Sequence, residues 1–176
     1  SKEELNKYGI YAGSLGREVG FRTGDKILSI NNQGFDKYED IFHPDYMLGT
    51  ETSFKISRDG EKREIVLPPD FIDRLIAQKD DFIEINNPFI IGGVEKNSPA
   101  DQLGLQIGDK IVKANNDSIY SFPQFRDLLI ENMGDSIEVT YMRNTNFYSG
   151  YTLVTDAGKL GFYAKPQLNY STEQKS

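Results

Sequence analysis

The chain has 176 residues, no cysteine and a formal net charge of -7, with 27 acidic against 20 basic side chains. The missing thiols exclude disulfide scaffolds, thiol catalysis and thiolate metal sites, and suit an oxidising compartment as well as the cytosol. Neither half is basic and no Lys/Arg cluster alternates with aromatics, which argues against nucleic acid or an anionic membrane as partner.

Taken in order, residues 5–12 read as an entering strand with Ile10 in the core. Ser14 to Val19 form a helical turn closed by Gly20, and Lys26–Ile30 a strand. Tyr38, Ile41 and Phe42 share one face at helical spacing, until His43-Pro44 interrupts them, because proline restricts the residue before it. Asp59-Gly60 between two alternating runs, Phe54–Ser57 and Glu64–Leu67, is a hairpin signal. After Pro68-Pro69, Asp70 opens a short helix with Phe71, Ile72, Leu75 and Ile76 on one side, and Gln78 to Asp81 reads as a linker.

Phe82–Ile85 is a short apolar segment, followed by a strand at Phe89–Val94. Ser98 to Leu103 make a second helical turn closed by Gly104, and Lys110–Ala114 a second strand. Ser121 caps a helix with Pro123 in its first turn; it runs to about Asn132, buries Phe125, Leu128 and Leu129, and stops at Gly134. Ser136–Arg143 and Phe147–Thr155 form a long hairpin, and Leu160–Ala164 one more strand. From Pro166 the tail is polar.

These elements fall into a repeat. Residues 20–32 and 104–116 match at Gly20/Gly104, Gly24/Gly108, Asp25/Asp109, Lys26/Lys110, Ile27/Ile111, Asn31/Asn115 and Asn32/Asn116, and Ser14 pairs with Ser98 at the same offset. Each copy must answer to the same local geometry. The first glycine closes a helical turn in the left-handed region. The second leads into a strand whose Ile27 and Ile30, or Ile111 and Ala114, point inward, and Asn-Asn ends that strand in a tight turn. Two small domains follow: 1–79, including a connecting helix at 70–77, and 80–165, with a polar tail at 166–176. The charged start without an initiator Met reads as a segment excised from a longer protein.

Catalytic chemistry finds little to work with. The single histidine, His43, lacks the partners of a hydrolytic triad or of a zinc site and reads as a helix-end surface residue. Asp80/Asp81 and Glu3/Glu4 read as solvated charge. Binding is better served, because a sheet edge facing an amphipathic helix accepts an extended peptide as an extra strand. In the second domain the components are Phe82, Ile83, Glu84 and Ile85 as a loop offering backbone N–H groups, strand residues Phe89, Ile90 and Ile91, and helix residues Phe122, Phe125 and Leu129. In the first they are Ile10, Tyr38, Ile41 and Phe42. Core filling is the competing reading for Ile90, Phe122 and Phe125. Gly92-Gly93 either lets a backbone approach closely or marks a bulge.

The run Ser98-Pro99-Ala100, Gly104-Leu105, Gly108-Asp109, Ile111 and Asn115 resembles the bacterial PDZ signature, with a weaker copy from Ser14 to Asn31. The order of elements resembles the circularly permuted form of that domain, which implies a mostly β fold with short helices (α+β): two tandem PDZ-like domains, each a small, partly open β-barrel with two helices. The tandem arrangement, closed by Leu160-Gly161-Phe162-Tyr163-Ala164-Lys165-Pro166, is similar to the periplasmic region of RseP-type site-2 intramembrane zinc metalloproteases.

That resemblance implies a non-catalytic periplasmic segment of a bacterial inner-membrane enzyme, with zinc and its ligands in the full-length protein and no cofactor here. It implies that the module screens substrates, such as a pre-cleaved anti-sigma factor, by bulk or by reading a newly exposed C-terminus, beside the parent's membrane domain. The family's Gly-Leu-Gly-Phe carboxylate loop is not spelled out; Phe82–Ile85 takes its place, with Glu84 set to repel a carboxylate if it faces inward. The alternatives are a peptide-binding tandem PDZ region of an HtrA-type envelope serine protease or chaperone, and a non-proteolytic scaffold.

Overall fold

The computed structural model describes residues 2–42, 51–77 and 81–167. The chain forms two compact units, Ser1–Asn86 and Asn87–Ser176. His43 and the His-Pro break lie outside the described residues, as do most of the 78–81 linker and the tail from 168 onward.

The first unit begins with a helix, α1 (Lys2–Tyr8), where a strand is expected from Leu5. Lys-Glu-Glu-Leu-Asn-Lys is rich in good helix formers, and Gly9 ends it in the left-handed region (φ 70°), its N–H donating to the Leu5 carbonyl at 2.8 Å. The strand is confined to β1 (Ile10–Ala12). Next come α2 (Ser14–Val19), β2 (Lys26–Ile30), a 3-10 helix (Tyr38–Phe42), the hairpin β3 (Thr52–Arg58) and β4 (Glu61–Leu67), α3 (Phe71–Ala77) and β5 (Ile83–Ile85).

The second unit repeats the order: β6 (Phe89–Val94), α4 (Pro99–Leu103), β7 (Lys110–Ala114), β8 (Asp117–Ser118), α5 (Phe122–Glu131), β9 (Ser136–Arg143), β10 (Asn146–Leu153) and β11 (Phe162–Pro166). The result is mostly β with short helices. The sheets run β2-β3-β4 and β1-β5 in the first unit, β10-β9-β7-β8 and β11-β6 in the second, and neither pair closes into a barrel.

The repeated residues have repeated jobs. Gly20 and Gly104 cap α2 and α4 in the left-handed region, at φ 117° and 94°. Ile27 and Ile30 are three apart, which a regular strand would place on opposite faces. A one-residue bulge between Ile27 and Ser29 turns both inward, and the same bulge between Ile111 and Lys113 does so for Ile111 and Ala114. Hence Leu28, apolar by type, is exposed.

Asp25 and Asp109 are each 1% exposed. Asp25 accepts both arms of the Arg58 guanidinium at 2.8 Å, and Arg58 also donates to the Gly20 carbonyl. Arg143 treats Asp109 and the Gly104 carbonyl identically. Each carboxylate further accepts the N–H that opens its own turn, from Arg22 or Gln106. A buried carboxylate needs this saturation, and a bidentate fork supplies it. The Gly-Asp of the repeat thus staples the last residue of a hairpin strand to the helical turn.

Each unit has its own core. In the first, Phe21 meets Phe54 and Phe82 edge-on at 5.3 and 5.6 Å, and Phe71 meets Phe82 at 4.8 Å. Ile76, read as part of the buried face of α3, is 71% exposed; Phe71 is the residue that inserts.

Candidate peptide-binding site

In each unit the last strand pairs antiparallel with the first: β5 with β1, β11 with β6. Phe82–Ile85 therefore belongs to the first unit, as the counterpart of β11, and the unit boundary falls at Asn86/Asn87 rather than at 79/80. Phe82 and Ile83 are 2% and 4% exposed within the first core, so they offer no loop to the second unit.

The second unit's own loop is Lys159-Leu160-Gly161-Phe162. The Gly161 carbonyl accepts the Glu95 N–H at 2.8 Å and so faces the β6 side. Backbone groups alternate sides along a strand, which turns the N–H and C=O of Phe162 outward, onto the edge that β6 does not pair. Just before it, the N–H groups of Leu160 and Gly161 donate to no protein acceptor among the described residues, while the Leu160 carbonyl accepts from Ala100 at 2.8 Å. Gly161 has φ 86°, and a Cβ there would sit 2.2 Å from the Ser98 Cβ, so glycine is required. Lys159 is exposed beside these donors. Free N–H groups and a cation are suited to receiving a carboxylate.

Behind this edge stand four phenylalanines. Phe89 meets Phe122, Phe125 and Phe162 at 5.5, 6.0 and 6.3 Å, and Phe162 lies 5.9 Å from Phe125 and 6.4 Å from Phe122. Phe125, Phe89, Leu129 and Ile91 are buried and form the floor; Phe122 and Phe162 are half-buried at the rim. Ile90 is half-buried and pairs with Lys165. Gly92 and Gly93 admit side chains and not a backbone: a Cβ at Gly93 would fall 2.1 Å from the Tyr163 ring, and one at Gly92 2.6 Å from the Lys165 stem. A bulge is present as well, between Tyr163 and Ala164 on the facing strand.

The first unit closes the equivalent edge. Asp81 and Phe82 stand where the second unit has Leu160 and Gly161, since Leu15 and Gly13 donate to their carbonyls as Ala100 and Glu95 do in the second. The Ile83 carbonyl then points outward, and the Tyr38 hydroxyl donates to it at 2.5 Å. Burial pushes the Tyr38 phenol pKa up, with Glu84 and Glu39 adding to it. Phe42 packs edge-on against Tyr38 at 5.3 Å. Ile10 and Ile41 are fully buried core residues. Asp81 places a carboxylate, accepting the Ser14 N–H at 2.9 Å, where a ligand carboxylate would need donors.

Among the described residues no group of three or more His, Cys, Asp or Glu stands together to hold a metal ion. The described residues therefore do not fit a zinc site. No helix among them is long and apolar enough to cross a membrane.

Residues 90–143 match the PDZ domain family. A protein of Borreliella burgdorferi named "Putative zinc metalloprotease" is 28% identical over 155 residues, covering 84% of this chain and 33% of its own length. A like-named protein of Neisseria meningitidis is 28% identical over 141 residues, covering 74% of this chain and 31% of its own length. The chain thus spans about a third of the curated relatives it matches. Among solved structures, the PDZ domain of an SdrC-like protein from Listeria monocytogenes aligns at 19% identity with a TM-score of 0.40, covering 44% of this chain and 87% of that one. The second domain of another Listeria protein aligns at 17% with a TM-score of 0.37, covering 51% and 93%.

Proposed function

We propose that this segment is the non-catalytic, periplasmic tandem PDZ module of a membrane-embedded site-2 zinc metalloprotease, and that it controls which substrates reach the catalytic part. The zinc and the catalytic groups lie elsewhere in the protein. The names and coverage of the relatives support a protease-associated PDZ region.

The observation that carries the reading is the β11 edge. Its outward Phe162 groups, the undonated N–H groups of Leu160 and Gly161, and the Phe122/Phe162 rim are what an extended peptide with a free C-terminus requires. The peptide would add a strand to β11, seat its last apolar side chain on the phenylalanines and place its carboxylate at the loop. A membrane-bound substrate, such as an anti-sigma factor clipped on its periplasmic side, presents such an end. The first unit contributes bulk and takes no peptide.

In the membrane-embedded protease, cleavage of a substrate bearing a free apolar C-terminus is compared with cleavage of the same substrate extended by a folded domain. The parent enzyme prefers the clipped form, and Lys159→Glu or Phe122→Ala reduces that preference while leaving cleavage of a substrate lacking its periplasmic part unchanged. Equal discrimination in the variants contradicts reading by the β11 edge.

A further inference from the structure

The outer edge of the larger sheet in the second unit is β10, and it lacks a safeguard that its counterpart keeps. Exposed edge strands template pairing with other chains, and natural ones are blunted by charge. β4 carries Glu61, Lys62, Arg63 and Glu64, all exposed. From Asn146 to Thr155 the second unit reads Asn-Phe-Tyr-Ser-Gly-Tyr-Thr-Leu-Val-Thr, without one charge. Val154 exchanges its bonds with Asp135 and Gly134 on the β9 side. The alternation therefore turns the N–H and C=O of Phe147, Ser149, Tyr151 and Leu153 outward along the unpaired edge. Their side chains share the solvent face, and Phe147, Tyr151 and Leu153 are 66%, 74% and 58% exposed.

We infer that β10 pairs antiparallel with β10 of a second copy of this chain, about a two-fold axis at Gly150. Two-fold pairing sets each residue opposite the one equally far beyond the axis. Phe147 then faces Leu153, Ser149 faces Tyr151 and Tyr148 faces Thr152. Apolar meets apolar, each ring of the Ser149/Tyr151 and Tyr148/Thr152 pairs meets a small residue, and no charge within the strand meets its like. Phe147, Ser149, Tyr151 and Leu153 all carry outward backbone groups, so each pair among them exchanges two hydrogen bonds across the seam. The neighbouring carboxylate on that face, Glu138, stands directly across from Tyr151 in the β9–β10 ladder. β4 paired on itself about Glu64 would set Glu64 against Glu64. The strand is complementary to itself about Gly150, apolar against apolar and each large ring against a small residue, and that self-complementarity points to a second copy as the partner.

Sedimentation equilibrium of the 176-residue chain tests this at ~0.15 M salt, where repulsion between acidic chains is screened beyond about 8 Å. The mass rises with concentration from one chain to two, and Tyr151→Lys or Phe147→Lys raises the dissociation constant about tenfold or more, whereas Val66→Lys on β4 leaves it unchanged. As the chain has no cysteine, mixing Ser149→Cys with Tyr151→Cys yields a disulfide-linked dimer, the Cα separation of about 5.5 Å at a hydrogen-bonded pair being within disulfide reach. A single-chain mass throughout, or a dimer indifferent to both lysines, overturns the inference. Peptide titration at β11 is unaffected by Tyr151→Lys, so either reading fails without the other.

Discussion

The two units place the same backbone at the same station and finish it differently. In the second, a glycine at 161 and two N–H groups without an acceptor among the described residues precede a strand whose outer edge has no partner among them. In the first, Phe82 fills the glycine's place from within the core, Asp81 brings a carboxylate, and Tyr38 donates to the carbonyl that an incoming strand would use. One architecture thus yields an edge with unused donors among the described residues and an edge whose groups are satisfied. The difference lies in three or four side chains, while the Asp–Arg staple that holds each unit together is common to both.

The largest effect expected from breaking this comparison comes from Gly161→Ala. The left-handed φ costs about 1–2 kcal/mol and the overlap with Ser98 a further 1–3 kcal/mol, enough to unfold much of the second unit. Gly24→Ala, also left-handed but with nothing within 4 Å of the new Cβ, meets only the first of these costs. Denaturant unfolding separates the two. Next come Asp25→Ala and Asp109→Ala, each expected to cost about 2–4 kcal/mol by stranding an arginine and a turn N–H. The two should be alike, and a large disparity would mean that the staples are not equivalent.

Tyr38→Phe sharpens the contrast at smaller scale, with about 1 kcal/mol lost from the first unit for the missing hydrogen bond. It has a pH signature too. Because folding raises the Tyr38 pKa, the folded state holds that proton more tightly. The associated stability is complete below the unfolded phenol's ~10 and is lost as pH rises above it. Wild-type stability should fall in that alkaline range more steeply than that of Tyr38→Phe. The smallest effect on stability belongs to Lys159→Glu, within about 0.5 kcal/mol as for other surface changes. Its consequence is for binding, where a reversed charge beside the loop weakens a carboxylate ligand by about 1 kcal/mol, readable by calorimetry.

Much of the fold was legible in the sequence because local rules dominate there. Glycines at 20 and 104, the Asp59-Gly60 turn, the Ser98 and Ser121 caps and the repeat itself each fix a backbone conformation from one or two residues. The N-terminal helix was misread because Ile10 to Ala12 is apolar and drew the strand backwards across residues that prefer helix. The partners of Asp25 and Asp109 were not legible, since Arg58 and Arg143 lie more than thirty residues away and only the fold brings them in.

Phe82–Ile85 falls in the other unit for a related reason. Phe82–Ile85 was read forward into the second unit by proximity in sequence, whereas a permuted sheet pairs a unit's last strand with its first. The signal in the sequence is Leu160-Gly161-Phe162, which comes nearest to a Gly-Leu-Gly-Phe loop and precedes the strand. Phe125 and Leu129 lie on the helix facing the strands and are buried in the second core.

The asymmetry between the two edges is tested most directly by amide NMR of the whole chain, titrated with a short peptide ending in a free apolar C-terminus and with its amidated form. Saturable shifts at Leu160, Gly161 and Phe162, lost on amidation and absent from Asp81 to Ile85, are the predicted result. Equal shifts with the amidated peptide, or shifts centred on β5, would contradict it.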